Sequence, residues 1–293
     1  MIQQLDILLT NPYLLTALVG LIGLMAGSFL NVVIYRLPIM MQQNWRKECT
    51  EYLQIDATET EPRQEPFNLS LPLSRCPHCK TPIKAYQNIP VISYLFLKGR
   101  CAGCNKPISI RYPLIETFTA LLSAIVAWHF GYTPQTIFAL VLTWSLIALS
   151  FIDIDHQLLP DNITLPVLWL GLLLSLFGFF TESHASIIGT CAGYISLWSV
   201  FHLFKLATGK EGMGFGDFKL LALFGAWLGW QYLPVIILLS SLVGAIIGVS
   251  MIIFAKRNHN TPIPFGPYLA AAGWLALLWG SDINQYYLTA VGL

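Results

Sequence analysis

The sequence predicts an all-α polytopic membrane protein of about eight transmembrane helices, with a small cytoplasmic zinc-ribbon-like loop domain after the first of them. Three observations carry this. Of 293 residues, 55% are hydrophobic and only 11% charged, whereas a soluble globular chain carries about 25% charged residues. The apolar residues are gathered into runs, and roughly 20 residues of helix are needed to cross a hydrocarbon core of about 30 Å. The one long polar stretch holds four cysteines in two C-x2-C pairs.

The expected spans are 13–35, 113–130, 136–152, 163–180, 186–204, 218–230, 233–254 and 266–280. The first run is long and no basic region precedes it, so a cleavable signal peptide is not expected. The sixth span is short and is entered through Gly212, Gly214 and Gly216. That combination suggests a broken or partly unwound helix, tolerated only where it lines protein. Basic residues set the orientation, because Lys and Arg collect in cytoplasmic loops. Eleven of the sixteen lie between Arg36 and Arg111, and eight alternating crossings put Lys205, Lys210, Lys219, Lys256 and Arg257 on that same side. Both chain ends then lie outside. The chain divides into a first transmembrane helix (1–35), a cytoplasmic loop (36–112) and a seven-helix membrane domain (113–293).

Within the loop, Cys76 and Cys79 are followed, after twenty-one residues, by Cys101 and Cys104. Two such knuckles present four thiolates to a tetrahedral zinc, although the spacer is one residue longer than usual. A reducing cytoplasmic face favours metal over disulfides. Four sulfur ligands leave no position open for water, so the Zn2+ is expected to be structural. A Pro-Ile pair follows each knuckle (Pro82-Ile83 and Pro107-Ile108), which suggests two equivalent turns.

Acidic residues at the edge of membrane spans are costly and point to function. Asp153 lies about one turn before the end of the third span, followed by Asp155, His156 and Asp161; Asp217 opens the sixth. Asp161 reads as an N-cap or turn residue of the fourth helix. Asp155 and His156 read as a solvated turn, and the plain alternative for Asp153 is an ion pair with a nearby lysine. The functional reading pairs Asp153 with Asp217. Two carboxylates sharing a proton can hydrolyse a peptide bond, one taking a proton from water while the other, protonated, polarises the carbonyl. Gly214 and Gly216 would leave backbone open for an extended peptide.

Gly214-Phe-Gly-Asp217 resembles the GxGD signature of intramembrane aspartic proteases. Together with Phe151 to Asp161, the Gly27-Ser-Phe-Leu-Asn-Val-Val-Ile-Tyr-Arg-Leu-Pro38 stretch and the cysteine knuckles, it makes nearly the whole chain similar to the type IV prepilin peptidases. That resemblance implies a bifunctional enzyme of the bacterial inner membrane with its active site facing the cytoplasm. Such an enzyme cleaves the basic leader of type IV prepilins and type II secretion pseudopilins after glycine. It then methylates the new terminal residue, usually phenylalanine, with S-adenosylmethionine as methyl donor. The catalytic pair of the family matches Asp153 and Asp217. The partners are these substrates and the lipid bilayer; no nucleic acid is expected.

Two other classes compete. A proton-coupled transporter also uses paired membrane acids, but places them near the midplane of repeated halves, whereas here they lie at one face and no repeat is evident. A zinc-binding assembly factor without catalysis would need the knuckles but not the aspartates. Gly27, Ser28 and Asn31 read as helix packing through small residues with one polar hydrogen bond. Asn31 and Arg36 also stand as candidates for the methyl-transfer region, whose cofactor site the sequence does not locate. The 261–267 stretch, rich in proline, is either an irregular wall near the aspartates or a tight loop entering a helix.

Overall fold

A computed structural model describes residues 10–54, 67–210, 212–255 and 264–291. Each of the eight expected spans is helical in large part, and the described residues contain no named strand. Among the described residues five helices are long and apolar enough to cross a membrane, which makes the chain a multi-pass membrane protein. It divides into two compact units, Met1–Thr136 and Ile137–Leu293.

The first unit contains α1 (Pro12–Tyr52), a short α2 (Ile92–Phe96) and α3 (Arg111–Phe130). α1 is 41 residues long and continues well past position 35, so the start of the expected loop (36–112) is helix. Its N-terminus is capped by Asn11, whose side chain accepts from the N–H groups of Tyr13 and Leu14. In lipid the hydrophobic effect does not drive helices together, so close packing through small residues must do so. The α1–α3 seam shows this: a Cβ on Gly27 would lie 2.7 Å from the Glu116 Cα, and one on Gly23 2.9 Å from the Ala120 Cα. Gly20 faces Ala124, so the pair is antiparallel. Asn31 Nδ2 donates to the carbonyls of Gly27 and Tyr112, both at 3.2 Å. The packing reading of this stretch is therefore what the geometry supports. Arg36 is buried; its guanidinium donates to the carbonyls of Asn68 (2.8 Å) and Pro72 (2.5 Å) and lies over the Phe67 ring. It fastens the loop to α1.

The second unit contains α4 (Pro134–His156, its first residues belonging to the first unit), α5 (Asp161–Ser175), α6 (Ser183–Thr208), α7 (Phe215–Leu228), α8 (Leu233–Ala255) and α9 (Gly266–Val291). Everything is arranged around α7. Fourteen residues at 1.5 Å each reach only about 21 Å, short of a bilayer core. Its length is tolerable because protein surrounds it: all twelve residues from Asp217 to Leu228 except Lys219 are buried. Glycines on its neighbours allow that enclosure. Gly189 of α6 and Gly225 of α7 approach backbone to backbone, and a Cβ on either would collide with the other's carbonyl; Gly171 of α5 makes room for Trp227, and Gly273 of α9 for Phe224. Polar atoms lock the register. Trp227 Nε1 donates to the Val167 carbonyl at 2.8 Å, Ser186 Oγ to the Ala226 carbonyl at 2.6 Å, and Trp274 Nε1 of α9 to Thr143 Oγ1 of α4 at 3.0 Å.

Three further boundaries differ from the sequence expectation. α5 ends at Ser175, with Gly178 at φ 65° in the turn that follows. α7 starts at Phe215 and so includes Gly216 and Asp217; of the three glycines of the entry, only Gly212 and Gly214 precede the helix. α9 runs on to Val291 past a non-helical residue, Trp279.

Candidate active site

Asp153 and Asp217 are each only 6% exposed, although both lie at helix ends where solvent would be expected. Asp217 is the third residue of α7, after the N-cap Gly214. A carboxylate in the first turn of a helix faces the backbone N–H groups that the helix leaves unpaired. Aromatic rings fix that turn: Phe215 and Phe218 pack on each other (5.4 Å between centroids) and on Phe201 of α6. Asp153 reaches the same place from the last turn of α4 and is near enough for its charge to act on Asp217.

What holds Asp153 is not a lysine. Its Oδ2 accepts the backbone N–H of Gly266, at 3.0 Å, from the start of α9. A Cβ on Gly266 would lie 2.7 Å from that same oxygen and 3.1 Å from Leu159 Cδ2. Leu159 also meets Gly216, where a Cβ would stand 2.7 Å from its own. One leucine in the α4–α5 connection thus packs against both glycines that flank the aspartates. In the described part of the proline-rich stretch (264–267), Gly266, at the start of α9, forms a wall beside Asp153; positions 261–263 lie outside the described residues.

The lysine pairing falls to Asp161 instead. Lys219 Nζ is 2.7 Å from Asp161 Oδ2 and 2.8 Å from Oδ1. Asp161 is the first helical residue of α5 rather than its cap, which is Pro160. Asp155 and His156 are exposed. Gly214 is exposed and extended (φ −84°, ψ 155°), a strand-like backbone open to a neighbour, whereas the space beside Gly216 is taken by Leu159. Gly266, Leu159 and Lys219 were not singled out by the sequence; the only signal for Gly266 was its position among prolines.

The four cysteines form a separate centre in the first unit. The sulfurs of Cys76, Cys79, Cys101 and Cys104 lie within 4.8 Å of one another, and two pairs, Cys76–Cys104 and Cys79–Cys101, stand at 3.9 Å. Tetrahedral zinc with Zn–S bonds of about 2.3 Å requires sulfurs about 3.8 Å apart, so the donor set fits. The knuckles are copies of each other twenty-five positions apart. The Lys80 and Asn105 N–H groups donate to the carbonyls of Cys76 and Cys101, and the Cys76 and Cys101 N–H groups to those of Thr81 and Lys106. Lys80 and Asn105 both adopt positive φ (58° and 57°), and the bridges Arg75–Pro82 and Arg100–Pro107 correspond. Thr81, through its hydroxyl and its N–H, lowers the Cys79 thiol to about 6. The N–H groups of Cys104 and Gly103 lower Cys101. Cys104 moves up to about 11, because loss of solvent and the three facing thiols outweigh the Lys106 N–H that pulls it down. Four crowded thiols resist ionising together until a cation joins them.

Comparison with known proteins agrees with this architecture. The model of the bacterial peptidase A24 N-terminal domain matches residues 21–130, and that of the type IV leader peptidase family matches 140–249. A prepilin leader peptidase/N-methyltransferase of Stutzerimonas stutzeri is 56% identical over 285 residues, covering 97% of both chains. That of Pseudomonas aeruginosa is 56% identical over 98% of both. That of Legionella pneumophila is 46% identical over 96% of this chain and 97% of its own. No solved structure matches. With two adjoining domain models and identity of this order along nearly its full length, the chain belongs to the type IV leader peptidase family.

Proposed function

We propose that the chain is a prepilin leader peptidase and N-methyltransferase of the bacterial inner membrane, with Asp153 and Asp217 as its proteolytic pair. The observation that supports this most directly is two carboxylates enclosed together at the ends of α4 and α7, in a chain so similar to enzymes of that name. One carboxylate removes a proton from a water molecule as the water attacks the scissile carbonyl. The other, protonated, donates to the carbonyl oxygen; as the C–N bond breaks, the first gives the proton it took from water to the departing amine, and the second recovers its own from a hydroxyl of the tetrahedral intermediate. Burial away from bulk water makes the shared proton worth more, because a close pair does not ionise twice. The Gly266 N–H fixes Asp153 for this task, and the extended backbone at Gly214, with Gly216 behind it, is the proposed rest for the leader.

Charge placement supports a cytoplasmic side for this end of the bundle, where the basic leaders of type IV prepilins and type II secretion pseudopilins would present the bond after glycine. An acidic pair suits a basic leader. Zn2+ is the metal proposed for Cys76, Cys79, Cys101 and Cys104, in a structural role. S-adenosylmethionine supplies an electrophilic methyl group for the new terminal amine, usually that of phenylalanine. Buried Asp153 argues against the transporter reading, because its hydrogen bond comes from a fixed backbone wall rather than from a relay partner.

The test is direct. Asp153→Asn and Asp217→Asn proteins, purified in detergent, should leave a prepilin substrate uncut, as read by the mass of the product. Normal cleavage by either variant would rule out the pair as the proteolytic site.

A further inference from the structure

The helix α2 carries an apolar stripe that nothing in the described chain covers. Ile92, Leu95 and Phe96 are 50%, 68% and 84% exposed, and their i, i+3, i+4 spacing places them on one face. On a water-facing loop such a stripe is a liability. Its position in the first unit gives it a different meaning.

α2 is tied to the membrane helices at a definite level. Glu116 of α3 accepts the Val91 N–H, at the start of α2, at 2.7 Å. The same carboxylate takes a hydrogen bond from the Ser28 side chain of α1. Val91 has φ 58° and ψ −49°, a strained conformation for a β-branched residue that persists only when its surroundings impose it. Twenty residues of α3 at 1.5 Å each span about 30 Å, the thickness of a bilayer core, so Arg111 marks one edge of that core. Glu116 is five positions further in, about 7.5 Å below Arg111. Interfacial helices lie about 5–10 Å into the headgroup and acyl boundary. α2 is pinned at that depth.

Charge agrees. Between Phe67 and Ile115 there are seven Lys or Arg residues and no Asp or Glu. Lys98 and Arg100 follow the stripe directly and are exposed. Basic groups next to an apolar face suit a membrane surface, whose cytoplasmic leaflet is negative. They would repel a basic leader.

We propose that α2 is an interfacial helix whose Ile92–Leu95–Phe96 face inserts into the bilayer, so that the cysteine loop is held against the membrane and not suspended in the cytoplasm. Glu116 is the tether that sets its depth. The inference stands on the membrane spans alone and does not depend on the proteolytic reading.

Replacing Phe96 with 4-trifluoromethylphenylalanine in the full-length protein gives a single fluorine probe. In nanodiscs of mixed phosphatidylcholine and phosphatidylglycerol, a nitroxide carried near the top of the lipid acyl chains should broaden its resonance several-fold more than a gadolinium chelate in the buffer. The reverse ratio would place α2 in water and overturn the proposal. Insensitivity to both agents would also overturn it, since the stripe would then be covered by protein; a loss of the lipid effect on adding a prepilin would assign the face to the substrate helix instead. A thermal unfolding profile matching that of the unlabelled protein checks that the labelled protein has folded.

Discussion

The cysteine centre and the aspartate pair are built in opposite ways. Each knuckle is made by hydrogen bonds between residues at most nine positions apart, and the second repeats the first at an offset of twenty-five. The aspartates come from positions 64 apart, and Asp153 takes its hydrogen bond from a residue 113 positions away. The first site can form wherever its loop and a metal ion meet. The second exists only once α4, α5, α7 and α9 have packed. A local change should therefore damage the first site alone, whereas the second should respond to changes in the wall around it.

The strongest break in this comparison concerns the aspartates. Asp153→Asn and Asp217→Asn should each slow leader cleavage by on the order of 10³-fold, within the range of general acid–base contributions. The double variant should be no slower than either, as expected of two groups that act as one unit. Additive losses, measured as kcat/KM on one prepilin, would mean that they work separately.

Next comes the wall. Gly266→Ala sets a methyl group 2.7 Å from Asp153 Oδ2, so Asp153 or the start of α9 has to move. Misplacement by about 1 Å can cost about 10²-fold, and the loss should appear in kcat, with metal content unchanged. Cys76→Ser is the converse: metal per chain, read by elemental analysis, should fall towards zero while cleavage stays close to wild type. If cleavage were lost along with the metal but the fold of the second unit survived, the two centres would not be independent.

These properties explain what the sequence disclosed. Hydropathy located the helices, five of them long and apolar enough to cross a membrane among the described residues, because lipid demands long apolar segments, and the knuckles were legible because spacing alone fixes their geometry. Asp153 and Asp217 could be paired from their places at span ends. Gly266 could not, since its contribution is a backbone N–H, which every residue but proline carries. Glu116 was hidden for a related reason: one acid near the start of a span reads as interfacial until the Val91 N–H is seen against it. The end of α5 was misjudged because Leu176, Phe177, Phe179 and Phe180 are apolar without being helical, and hydropathy does not register the turn at Gly178. Asp161 was placed as a cap by residue type, but the lysine that claims it lies 58 positions away.

That ion pair carries the smallest expected effect, and it separates charge from packing at the edge of the aspartate site. Asp161 is two residues beyond Leu159, and Lys219 two beyond Asp217, so the pair closes α5 onto α7 beside both. Its side chains are 47% and 29% exposed, and pairs of this kind contribute about 1 kcal/mol or less. If burial of α7 already fixes Asp217, Asp161→Asn and Lys219→Gln should each reduce kcat less than about tenfold and lower thermal stability slightly, consistent with that energy. The double variant should match the singles, with the coupling weakening as salt is added. A loss near that of Asp217→Asn would instead show that the ion pair, and not the packing around α7, positions the catalytic turn.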